Sequence, residues 1–196
     1  NGIHVVMYAQ LMPVPCLSFA VRNLCCGAGI MITASHNPAQ YNGYKVYGPD
    51  GCQITSEGTT EILAAIEALD PFADVKYIDF EEGLERGLIS YIPEAVYTAF
   101  IEAVKTQSVL GEAAIDKDVS IVYSPLNGTG LRPVLRILSE SGYTKVRVVR
   151  EQEHPDGTFP TCPCPYGLCR KVPSGFVIGY GSGLRPGRDC RKKQRR

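Results

Sequence analysis

Ser35, His36 and Lys45 are the residues whose types and spacing could do chemistry. A serine hydroxyl can accept an acyl or phosphoryl group, but it is a poor nucleophile until a base activates it. His36 is the obvious candidate base. Neighbouring residues in an extended segment point to opposite sides, however, and no Gly-x-Ser-x-Gly elbow surrounds Ser35, so a hydrolase dyad is disfavoured. Lys45 follows ten positions later, about two residues inside the next strand. At roughly 3.3 Å per residue it lies some 7 Å from the end of the serine loop, within reach of its long side chain. Each has a plainer reading: Ser35 as a serine in a surface turn, and Lys45 as the solvated position between Tyr44 and Val46.

The surrounding residues predict the elements that would position this loop. Gly2 to Ala9 is an apolar strand, and Pro13 opens a helix carrying Leu17, Ala20, Val21 and Leu24 at helical spacing, with Gly27 as its stop. Ala28 to Ile32 has the continuous apolar pattern of a strand buried on both faces. It leads straight into Thr33-Ala34-Ser35-His36-Asn37-Pro38, and Pro38 forces extended geometry on Asn37, so a loop must follow. A ligand loop just past a strand's carboxyl end is the usual arrangement in open α/β sheets. Asn42-Gly43 turns the chain, and Gly48-Pro49-Asp50-Gly51 joins Tyr44–Tyr47 to Cys52–Thr55 as a hairpin. Ser56 caps a helix with Ile62, Ile66 and Leu69 on one face, ended by Asp70-Pro71. A helix near 93–110 carries Val96, Phe100, Ala103 and Val104 and joins two domains. Val119 to Tyr123, a turn at Asn127–Gly130, a helix through Leu131, Val134, Leu135 and Leu138 closed by Gly142, and Lys145 to Arg150 form one βαβ-like unit. The fold class is α/β.

Several other chemistries are weakly supported. Gly128 and Gly130 resemble a dinucleotide fingerprint, but Pro133 stands at its third glycine and no phosphate-loop Gly-Lys-Ser/Thr occurs. Asp116-Lys117-Asp118 has no third carboxylate at metal-loop spacing and reads as a solvated turn. Cys16, Cys25, Cys26 and Cys52 lie among apolar residues and read as reduced core cysteines, while Cys162, Cys164 and Cys169 lack the fourth ligand of a zinc site. No stretch reaches the roughly eighteen uncharged apolar residues of a membrane helix, and no signal peptide opens the chain. A soluble, cytoplasmic protein without a membrane partner is expected. The formal net charge of zero conceals a split. Pro163 to Arg196 holds nine Lys or Arg and a single acid, Asp189, giving +8; the remaining 11 bases and 19 acids give residues 1–162 a charge of −8. That basic segment lacks interleaved aromatics, which disfavours nucleic acid as a partner.

Gly29-Ile30-Met31-Ile32-Thr33-Ala34-Ser35-His36-Asn37-Pro38 followed by Tyr41-Asn42-Gly43-Tyr44-Lys45-Val46 resembles the signature of the α-D-phosphohexomutases, the family of phosphoglucomutase and phosphomannomutase. Val119 to Gly130 resembles the opening of that family's second domain, and Pro155-Asp156-Gly157-Thr158-Phe159-Pro160 its next landmark. The resemblance implies a three-layer α/β/α domain I, incomplete at its amino end, over residues 1–92 and the start of domain II over 93–162. It implies that Ser35 carries a phosphoryl group, gives it to a hexose phosphate to form glucose 1,6-bisphosphate, and takes back the other phosphate. His36 and Lys45 are the implied catalytic neighbours of Ser35, with Thr33, Ala34, Asn37, Pro38, Asn42 and Gly43 shaping the phosphate loop.

The resemblance stops near residue 162. The family's magnesium loop, Asp-x-Asp-x-Asp-Arg, does not follow, so Mg2+ would meet Ser35 only through its phosphate and little or no mutase activity is expected. Residues 163–196 read instead as a basic Gly/Pro-rich tail, disordered or produced by a shift of reading frame near Cys162 to Pro165. In the latter case another frame of the gene should encode the missing aspartates. A phosphomannomutase, or a non-catalytic fragment that binds a partner, are the alternative readings.

Overall fold

The computed structural model describes residues 2–33, 41–70, 72–109, 115–161 and the backbone of 176–180. It is a mixed α/β structure that divides into two compact units, residues 1–103 and 104–196. The division falls inside the helix predicted near 93–110.

In the first unit, β1 (Val5–Met7) pairs in parallel with β4 (Ile89–Tyr91), and β2 (Gly29–Ile32) pairs antiparallel with β3 (Tyr44–Tyr47). Helix α1 (Val14–Asn23) starts at Pro13, whose fixed φ suits a first turn, and buries Cys16, Ala20 and Val21. Cys16 is wholly enclosed and serves as a small hydrophobe, as expected of a reduced thiol. The helix packs on β2, where Gly29 makes the close approach possible: a Cβ there would lie 2.5 Å from a methyl of Val21. The helix stops before Gly27. Leu24 is its C-cap, and Cys25 takes the left-handed backbone with φ 52° that a terminating glycine usually supplies.

The expectation that β2 is buried on both faces is not met. Ile30 is 51% exposed and Ile32 55%, because α1 covers only the face bearing Gly29. Helix α2 (Ser56–Glu67) begins one residue after its cap position, Thr55, which makes no side-chain cap bond, and Ile66 and Leu69 remain exposed. Helix α3 (Phe80–Glu85) is held at its start by the Asp79 carboxylate, which accepts from the N–H groups of Glu81 and Glu82 at 3.0 and 3.3 Å. Helix α4 (Glu94–Lys105) buries Val96, Tyr97 and Ile101, and Phe100 meets Phe19 edge to face with ring centroids 5.6 Å apart.

The second unit is built on β5 (Ser120–Ser124), α5 (Leu131–Glu140) and β6 (Val146–Val148), with β6 parallel to β5 as the βαβ pattern predicts. A strand not anticipated from the sequence, β7 (Phe176–Tyr180), pairs antiparallel with the other edge of β5. The expectation of a structureless 163–196 segment therefore does not hold for these five residues. A short β-branched and aromatic run can complete an open strand edge although the glycines and prolines around it erase any longer pattern.

Candidate active site

The strand β2 delivers the chain to the serine loop and β3 takes it away. Their ladder pairs Gly29 with Tyr47, Ile30 with Val46, Met31 with Lys45 and Ile32 with Tyr44. One step further, the Thr33 N–H donates to the Gly43 carbonyl at 2.9 Å, and the Gly43 N–H donates to the Asn42 side-chain oxygen at 2.9 Å. One backbone bond thus joins the two ends of the segment, and a local side-chain bond holds Gly43 in place. A Cβ at position 43 would collide with the Thr33 carbonyl oxygen, so only glycine closes the clamp. Ala34, Ser35, His36, Asn37 and Pro38 lie outside the described residues.

Lys45 and Tyr44 settle which face of the hairpin is covered. Directly paired residues share a face, so Lys45 stands with Met31 on the side where Gly29 packs on α1 and Tyr47 is buried. Lys45 is half-buried there, whereas Tyr44 is 59% exposed on the opposite face. Val46, on the same face as Tyr44, is half-buried as well. The hairpin beyond it closes as predicted: Gly51 N–H donates to Gly48 O and Gly48 N–H to Cys52 O, both at 2.9 Å, Gln53 bridges Tyr47, and Ile54 N–H donates to Val46 O at 3.0 Å.

In the second unit the turn after β5 contains a polar hub that sequence reading treated only as a bend. Leu126 and Asn127 both adopt left-handed φ, 50° and 55°. Asn127 is 7% exposed; its N–H donates to Gln152 O at 2.9 Å, its side-chain amide donates to His154 O at 2.9 Å, and its carbonyl accepts from the Asp156 N–H at 3.0 Å. Ser124 Oγ donates to the Gln152 side-chain oxygen and accepts from the Leu126 N–H at 3.0 Å. Asn127 so fastens the β5–α5 turn to the 150–156 segment. The Asn-Gly pair at 127–128 was the available signal, since asparagine tolerates the left-handed region. Asp156 itself anchors a tight turn, accepting from Thr158 N–H at 2.9 Å and its hydroxyl at 2.6 Å, and these bonds hold its carboxyl below the usual carboxylate range.

Magnesium does not fit the described residues. Among them no three His, Cys, Asp or Glu side chains cluster closely enough to hold a metal ion. Asp116 and Asp118 form a turn, with the Asp118 N–H donating to the Asp116 carboxylate at 2.8 Å. Among the described residues no helix is long and apolar enough to cross a membrane.

The chain is thus of mixed α/β class, with the serine segment between two paired strands and a βαβ unit after it. Residues 1–72 match "Phosphoglucomutase/phosphomannomutase, alpha/beta/alpha domain I" and residues 97–168 match the corresponding domain II. The chain belongs to the phosphoglucomutase/phosphomannomutase family, a family of isomerases. A phosphoglucomutase of Staphylococcus saprophyticus is 38% identical over 162 residues, which cover 82% of this chain and 29% of the relative. The "Probable phosphomannomutase" of Haemophilus influenzae is 34% identical over 84% of this chain and 32% of its own length. The crystal structure of a "putative phosphomannomutase" from Thermus thermophilus superposes with a TM-score of 0.64 at 30% identity, covering 86% of this chain and 36% of that one. The chain therefore spans about a third of the length of these relatives.

Proposed function

We propose that Ser35 is the phosphoryl carrier of a phosphoglucomutase-like intramolecular phosphotransferase acting on hexose phosphates in the cytoplasm. The observation that carries this reading is the clamped β2–β3 hairpin with Lys45 on its covered face. The Thr33–Gly43 bond joins the residues on either side of the serine segment, and the pairing of Lys45 with Met31 supports a cation close to that segment. There a lysine ammonium can offset phosphoryl charge or move a proton more effectively than a freely solvated one. His36, Thr33, Ala34, Asn37, Pro38, Asn42 and Gly43 shape the loop around the phosphate.

In the reaction, a P–O bond of glucose 1,6-bisphosphate breaks and an Oγ–P bond forms at Ser35, while the hydroxyl proton ends on the sugar oxygen that the phosphoryl group leaves. Residues 1–92 supply this domain and 93–162 the start of the next. Glucose is the favoured sugar because the Staphylococcus relatives are phosphoglucomutases; mannose is the second reading, favoured by the Haemophilus and Thermus proteins. The 196 residues by themselves hold no Asp-x-Asp-x-Asp-Arg sequence, so they accept phosphate without sustained turnover.

Prolonged incubation with glucose 1,6-bisphosphate tests the carrier role, because a single transfer accumulates and is visible by mass. Phosphate should appear on the tryptic peptide Asn23–Lys45 at Ser35, and Ser35→Ala should remove it. Phosphate on another residue, or none, overturns the assignment.

A further inference from the structure

We propose that Cys25 and Cys26 form a vicinal dithiol site for a trivalent thiophilic centre, of which an organic arsenical is the chemical type. At the end of α1, Leu24 N–H donates to Ala20 O at 2.9 Å, Cys25 N–H to Arg22 O at 3.2 Å and Cys26 N–H to Val21 O at 2.9 Å. The last two are the pair of crossing bonds that closes a helix around one left-handed residue, the place where glycine normally sits. An L-residue with φ 52° there costs about 1 kcal/mol or more. The Cys25 thiol makes one long contact with the helix end, donating to Arg22 O at 3.8 Å. Packing gains little, since Cys25 is exposed and Cys26 half-buried, in contrast to the enclosed Cys16.

Both thiols are free of disulfides. A direct bond between them is opposed by geometry: neighbouring Cα atoms lie about 3.8 Å apart across a trans peptide, short of the roughly 4.4–6.8 Å that disulfides span. A large soft atom inserted between the two sulfurs lengthens the ring by one member and removes that conflict. Thiolates select such soft centres. A structural zinc ion would need further ligands, and among the described residues no third His, Cys, Asp or Glu completes a cluster. A monosubstituted trivalent arsenic needs only two thiolates, its third valence being occupied by its own organic group. With phenylarsine oxide, two S–As bonds form, the As–O bonding is lost, and the oxygen leaves as water with both thiol protons; no oxidant or reductant takes part.

The chain makes the test clean, because the tryptic peptide Asn23–Lys45 contains Cys25 and Cys26 and no other cysteine. The full reduced chain is treated with phenylarsine oxide, washed with excess 2-mercaptoethanol, digested and weighed. The expected result is one phenylarsenic group on Asn23–Lys45 that resists the monothiol and is removed by 2,3-dimercaptopropanol. The second sulfur acts intramolecularly, so Cys25→Ser, Cys25→Gly and Cys26→Ser should each weaken retention about a hundredfold or more. Cys25→Gly suits the left-handed position and should keep or raise the urea midpoint, so its loss of binding cannot be ascribed to unfolding. An adduct on Asn23–Lys45 that the monothiol strips from the unaltered chain, or one that persists in Cys25→Gly, overturns the proposal.

Discussion

Asn127 shows how much one side chain can carry at a turn. It occupies a left-handed conformation that asparagine tolerates better than most residues, and from there it bonds three backbone groups of the 152–156 segment. Alanine would keep neither the conformational preference nor the side-chain donor, and would leave the His154 carbonyl without that partner. Asn127→Ala is therefore expected to destabilise the second unit by about 2–3 kcal/mol, from a lost buried hydrogen bond plus left-handed strain. Asn127→Gly should fall between, because it restores the backbone freedom and not the bond. Urea denaturation of the two variants beside the unaltered chain checks the ranking, and equal midpoints for all three would remove Asn127 from its role as a hub.

At the scale of elements, α5 is tied to the end of α4 by Glu140, which accepts from Arg136 at 2.7 Å and Lys105 at 2.9 Å. The Arg136 bond first and the Lys105 bond second hold its carboxyl below the usual range. Since the folded pKa lies below the unfolded one, the stabilisation is complete above the ordinary glutamate value of about 4.3 and is lost as the pH falls through the lower, folded value. Thermal midpoints measured from neutral pH downward should fall less steeply in Glu140→Gln than in the unaltered chain, and identical slopes would count against the link. Such element contacts also mark where sequence reading ends. The helix of α5 and the parallel β5–β6 pair were legible because their apolar periods are long and their turn residues explicit. The short α3 was missed although Asp79 followed by Glu81 and Glu82 is an N-terminal signature. The face of Lys45 was not legible, because period-two alternation separates two faces without saying which one a helix will cover, and the exposed Tyr44 and Ile32 misdirect it. The serine motif was legible as residues, but the placement of its partners came from the ladder.

At the scale of the whole molecule, the proposed carrier role turns on the charge available to a phosphoryl group in transfer. Such a group spreads its negative charge over three oxygens, and the rate depends on cations and donors arranged to meet it. Residues 1–162 carry a net −8, Lys45 is the cation that the hairpin brings to the loop's flank, and the +8 of residues 163–196 comes with a single acid, Asp189. Since these relatives are about three times longer, most of their groups have no counterpart in these 196 residues. Stoichiometric phosphorylation of Ser35 and continuous turnover should therefore separate. In a coupled assay with glucose 1-phosphate, glucose 1,6-bisphosphate and excess magnesium, the chain should convert substrate no faster than Ser35→Ala. Conversion above that control would mean that these residues, alone or as an assembly, create an electrostatic environment which their charge distribution does not reveal, and the single-transfer reading would have to be abandoned.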